Sequence, residues 1–163
     1  MSYDLLVFDP NTAPRKRDEF MKWYESLTRW EEQRDYDSPQ GMTGNLPLFF
    51  ERMRQEFPPM NGPFAYAFDQ AEDPNTTSST SLWKKLFGLK AKPAPEPFNE
   101  ALVTDYSLAE SAIYMAFAWS VSDKAYNRVF NNALSAGVGF FDVSADNGVI
   151  LHDPGQFEDL MGL

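Results

Sequence analysis

The sequence predicts an α+β domain: a mainly antiparallel sheet of four to five strands with helices packed on one face, a variant of the ferredoxin-like arrangement. Three observations carry this. Apolar runs of strand length lie at 3–8, 111–119 and 138–143, and the second alternates large and small residues with a period of two. Stretches with helical spacing lie at 15–33, 45–57 and 120–136. The resulting order, β-α-α-β-β-α-β-β, contains too few βαβ units for a parallel doubly wound sheet.

Residues 3–8 read as a buried strand, ended by Asp9-Pro10-Asn11 because proline cannot donate to a ladder. Thr12 is positioned to cap a helix over 15–33, with Pro14 in its first turn. Phe20, Trp23, Tyr24, Leu27 and Trp30 fall on one face of it. Asn45 and Pro47 open a second helix whose stripe is Leu46, Phe49, Phe50, Met53 and Phe57, and Pro58-Pro59 stops it. A strand is expected over 103–106. In 111–119, Ile113, Met115, Phe117 and Trp119 alternate with Ala112, Tyr114, Ala116 and Ala118, a small face suited to a closely packed helix. Ser120 and Ser122 are candidate caps for the third helix, and Gly137 is its stop. Asp146-Asn147-Gly148 signals a hairpin between 138–143 and 149–151. A last helical turn gathers Phe157, Leu160 and Met161.

The 163 residues suit one domain, 1–163, with a Pro/Ser/Thr-rich insertion at about 69–101. Within that insertion Leu82, Trp83, Leu86 and Phe87 share a face beside Lys84 and Lys85. The net charge is −10, and residues 103–163 hold eight acids against only Lys124 and Arg128. Such a surface repels phosphate backbones and attracts basic proteins, so a nucleic-acid partner is not expected. The absence of cysteine removes disulfides, thiol nucleophiles and thiolate metal sites. No apolar run approaches the ~20 residues of a membrane span, and no signal peptide is visible, so a cytoplasmic location is expected.

The residues that could carry catalysis are sparse. His152 is the only histidine, with Asp142, Asp146 and Asp153 near it in sequence. A triad lacks its Gly-x-Ser-x-Gly elbow, and the Asp146-Asn147-Gly148 turn lacks the EF-hand spacing. Gly137-Val138-Gly139 follows a helix and precedes a strand, the reverse of a phosphate cradle. A small hydrolase or metal-dependent enzyme built on Asp142 and His152 is the enzymatic alternative. A homo-oligomeric module joined through 82–87 is a third. No cofactor is expected.

Four stretches together carry a resemblance: Ser2-Tyr3-Asp4-Leu5-Leu6-Val7-Phe8-Asp9-Pro10, Phe57-Pro58-Pro59-Met60-Asn61-Gly62-Pro63, Val103-Thr104-Asp105-Tyr106-Ser107 and Gly137-Val138-Gly139-Phe140-Phe141-Asp142-Val143-Ser144. Over nearly the whole chain outside 69–101 the sequence resembles a family of small bacterial proteins, some similar to immunity proteins of polymorphic toxins or type VI secretion effectors. The resemblance implies a cytoplasmic binder that occludes a cognate toxin; the acidity favours a toxin with a basic surface, the sparse catalytic set favours a non-enzymatic protein, and a monomer or weak homodimer is expected. The expected contact residues are Asp142, Asp146, Asp153, Glu158 and Asp159, with Tyr106 and Trp83 as aromatic anchors.

Overall fold

Four consecutive residues, Leu5, Leu6, Val7 and Phe8, are wholly buried, although side chains alternate across a strand. They belong to strand β1, Ser2–Phe8. A strand buried along successive residues must be covered on both faces. A computed structural model of the chain, describing residues 1–67 and 98–161, supplies that cover. The first of two contact-defined units comprises Met1–Tyr66 with Ala101–Leu163; the second, Ala67–Glu100, falls almost entirely outside the described residues.

In the first unit the other strands are β2 (Asp105–Leu108), β3 (Ala112–Ala118), β4 (Gly139–Asp142) and β5 (Ile150–Leu151). The helices are α1 (Arg17–Leu27), α2 (Leu46–Met53), α3 (Ser122–Ala136) and α4 (Pro154–Met161). The sheet order is β2-β3-β1-β4-β5, and every neighbouring pair is antiparallel. β1 and β2 therefore run parallel with β3 between them, and β3 and β4 run parallel with β1 between them. This is the ferredoxin-like interleaving, extended by β5 at one edge. The α+β class and antiparallel sheet are thus as the sequence predicts. Among the described residues, no helix is long and apolar enough to cross a membrane.

The single-face placement of the helices is corrected for α1. Leu5 and Val7 join Ile113, Met115, Phe117 and Phe140 in a core closed by α2, α3 and Phe157 of α4. Leu6, Phe8 and Phe141 join Phe20 of α1 in a second, smaller core on the opposite face. The cause lies in β1 itself, whose inner residues are apolar on both sides.

α1 is also shorter than the expected 15–33. It ends at Leu27, Thr28 Oγ1 donates to Tyr24 O at 3.0 Å, and Trp30 takes a left-handed φ of 55°. A bulky residue there cannot continue a helix. Trp30 instead packs edge-on against Tyr36 and Tyr114. Thr12 is not its cap: the hydroxyl donates to Asp9 O in the preceding turn, and the N-cap is Lys16. Asn45 does precede α2, but its side chain donates to Ala136 O at 2.8 Å and ties α2 to the end of α3. The strand expected over 103–106 lies at Asp105–Leu108, because Thr104 bonds Pro58 and Met60 instead. Gly137 ends α3 in the left-handed conformation at φ 69°, as expected. The 82–87 patch lies outside the described residues, as does the Pro/Ser/Thr-rich insertion apart from residues 98–101.

Gly139 stands opposite Phe8 in the β1–β4 register, and a Cβ there would meet the Phe8 ring at 2.2 Å. Phe8 has no room to retreat, since Phe20, Trp23 and His152 pack around it. Gly139→Ala is expected to destabilise the fold by about 1–3 kcal/mol, the usual cost of overpacking. A fall in the urea unfolding midpoint at constant slope checks this; an unchanged midpoint contradicts the packing described.

Candidate functional site

The apolar character of β1 stops at Asp4, and the end of the sheet beyond it is built differently. Tyr3 lies on the α2/α3 side with Leu5, and Asp4 on the α1 side with Leu6. Ser2 and Tyr3 pair with Ala118 and Phe117 at the end of β3. The chain then makes one 3-10 turn, Trp119–Val121, directly into α3. That turn brings Trp119 against Tyr3, ring centroids 5.3 Å apart at 58°.

The result is a recess of about 470 Å³ whose lining includes Tyr3, Trp119, Asp123 and Tyr126. Trp119 is 46% exposed, unusual for so large a ring. Tyr126 is fixed from behind, edge-on to Phe140 at 5.5 Å. Asp142 pairs with Leu5 in the register and so faces the same side as Tyr3. Burial raises the Tyr3 hydroxyl far above the ordinary phenol range, and the charges of Asp142 and Asp123 add to it. Burial also raises Tyr126, again with a contribution from Asp142. Asp142 itself is raised by desolvation, opposed by hydrogen bonds from the Ala145 and Ser144 amides. Neither Asp123 nor Asp142 has a cationic partner among the described residues; the ion pairs there engage other acids. This end of the molecule therefore offers aromatic surface and unneutralised negative charge together.

On the opposite face, α1 stops too early to cover Ala116. The small face of β3, expected to receive a helix, is packed at Ala112 and partly at Tyr114, and Ala116 is no part of that core. The space left is a recess of about 250 Å³ lined by Tyr24, Trp30, Asp105, Tyr114 and Ala116 among others. Asp4 and Asp105 flank Ala116 from β1 and β2 in the register. Tyr114 donates its hydroxyl to Asp4 Oδ2 at 2.8 Å.

The contact residues expected from the sequence are dispersed. Tyr106 is corrected: it is 5% exposed, with its hydroxyl donating to Phe57 O at 2.8 Å, so it is a core residue and not an anchor. Asp142 is buried on the Tyr3 side of the sheet, where its charge bears on Tyr3 and Tyr126. Asp153 pairs with Arg15 at 3.2 Å and accepts from the Gln156 amide at the start of α4. Asp146, Glu158 and Asp159 are exposed. Trp83 lies outside the described residues. Reading the sequence alone misses Tyr3, Trp119, Asp123 and Tyr126. The available signal was Trp119 continuing the large face of the strand one step past its last paired residue, next to a helix start carrying Asp123.

His152 is not placed for catalysis. It is 4% exposed, edge-on to Phe8 and Phe20. Its Nε2 lies 2.9 Å from Pro14 O, which can only accept, so that nitrogen carries a hydrogen and the ring is committed to holding the 13–15 segment. Among the described residues no group of three or more His, Asp or Glu is arranged to hold a metal ion.

Asp142 supplies a pH test. Its carboxyl is raised in the folded protein, so its contribution favours folding while protonated and is lost as pH rises through that raised value. Asp142→Asn keeps an acceptor for the Ala145 amide and removes the charge. The variant is expected to gain stability relative to the parent as pH rises from the acidic range to neutral, measured by urea unfolding across pH. A pH-independent difference contradicts the desolvation argument. Comparison with known proteins adds no relative: no protein-family model matches the chain, and no curated protein or solved structure matches it significantly.

Proposed function

We propose that this chain is a non-enzymatic binding protein that neutralises a cognate toxin bearing a basic surface, as the immunity proteins it resembles do. The observation that carries the reading is the Trp119 recess: a half-exposed indole between Tyr3 and Tyr126, beside two carboxylates without cationic partners among the described residues. Half-buried aromatics at the centre of a patch are the usual anchors of protein interfaces. Unpaired carboxylates around them accelerate the approach of a basic partner and select against acidic ones. The strong acidity of residues 103–163 gives the chain the charge that favours approach of a basic partner. Asp146, Glu158 and Asp159 then serve as outer steering charges. The commitment of His152 to Pro14 removes support from the hydrolase alternative.

The test is co-expression with any effector toxin domain found encoded beside the gene, followed by titration of the purified pair. The parent chain is expected to restore growth and to bind more weakly as salt is raised. Trp119→Ala is expected to cost about 2 kcal/mol or more, close to 30-fold in Kd, without loss of folding. Asp123→Lys is expected to slow association while Asp159→Lys has a smaller effect. A chain that neither rescues growth nor binds, or a Trp119→Ala variant that binds like the parent, overturns the reading.

A further inference from the structure

The recess on the α1 face of the sheet is separate from the Trp119 site, and its chemistry is more specific. Its aromatic wall is Tyr24, Trp30 and Tyr114, with Trp30 and Tyr114 centroids 5.9 Å apart and nearly perpendicular. Trp30 is delivered there by its left-handed backbone, a conformation costly for a bulky residue and held in place by Tyr36 and Tyr114. Asp105 forms part of the lining, and Ser107 Oγ lies two residues along the same strand. Asp4 stands behind Tyr114: one carboxylate oxygen accepts the Tyr114 hydroxyl, and the other is fully enclosed with no hydrogen-bond partner.

These features point to a positive guest. Among the described residues, no basic side chain lines the recess. Partial desolvation raises the exposed Asp105 carboxyl and the nearby charge of Asp37 raises it further, so negative charge is crowded at the rim. Aromatic rings present negative faces, and a cation held against them is attracted more strongly once it is desolvated. The volume of about 250 Å³ lies below the ~300–1,000 Å³ of pockets for whole drug-sized ligands, so one functional group fits better than a complete cofactor. Among cations, a guanidinium is planar, weakly hydrated and able to stack on rings while donating two hydrogen bonds to one carboxylate.

We propose that this recess binds a single guanidinium group, held against Trp30 and Tyr114 and hydrogen-bonded to Asp105. The site does not depend on the Trp119 reading, since it lies on the other face of the sheet and uses none of the same residues. The guanidinium belongs either to a free small molecule or to an arginine side chain of a polypeptide.

The experiment is an NMR titration following the Trp30 indole N–H, with methylguanidinium as ligand and methylurea as its neutral counterpart. Methylguanidinium is expected to shift the signal saturably and methylurea to leave it in place. Asp105→Asn, an exposed edge-strand change, is expected to weaken binding about tenfold, while Asp123→Asn at the other recess leaves it unchanged. Tyr114→Phe, which removes only the hydroxyl held by Asp4, separates loss of the site from loss of the fold through its otherwise unaltered spectrum. An arginine-containing tripeptide amide that binds tenfold tighter than methylguanidinium identifies a polypeptide side chain as the ligand; equal binding identifies a free cation. Absence of a methylguanidinium shift, an equal response to methylurea, or unchanged binding by Asp105→Asn overturns the proposal. Toxin neutralisation that persists in Asp105→Asn, with the titration signal lost, leaves the Trp119 reading standing by itself.

Discussion

The two-sided burial of β1 is the constraint on which the rest depends. Leu5 and Val7 commit one face of the sheet to α2 and α3, and Leu6 and Phe8 commit the other to α1. Each of these side chains is worth about 1.5–3 kcal/mol when fully buried, and all four belong to one strand at the centre of the order. β3 and β4 pair with β1 on either side, so the register of the whole sheet is transmitted through it. A one-residue slip would exchange the two cores and drive Asp4 into one of them.

The same strand divides the sealed cores from the proposed binding face. Its last four residues are sealed in apolar layers, while Ser2, Tyr3 and Asp4 extend to a polar and aromatic margin. Tyr3 and Asp4 point to opposite faces, and each helps to form a recess there. Desolvated carboxylates such as Asp142 cost stability when no cation neutralises them. Their concentration at one end of the sheet, beside exposed indole surface, is the physical ground for treating that end as the proposed binding face.

Much of the architecture was legible because it rests on local signals. The unbroken run Leu5-Leu6-Val7-Phe8, the alternation through 111–119 and the Asp146-Asn147-Gly148 turn all name their elements directly. The placement of α1 was not legible, since an amphipathic helix does not reveal which side of a sheet it will cover. Nor was its early end: Trp30 follows Leu27 at a helical interval, and only the rings of Tyr36 and Tyr114 explain why the backbone turns away. The candidate site was less legible still. Asp142 could be picked out by charge, but Tyr3, Trp119 and Tyr126 meet only through the strand register and the 3-10 turn. Tyr106 shows the converse: a residue with the composition of an anchor becomes core once its hydroxyl finds Phe57 O.

The central claim is that partners are received at the Tyr3–Trp119 end of the sheet. Hydrogen exchange of the chain, free and bound to the proposed toxin partner, tests it most directly. Slowed exchange in the complex across 2–4 and 118–127 is the result the account expects. Protection confined to 145–147 and 153–159, with Trp119 and its neighbours exchanging as in the free protein, would contradict it.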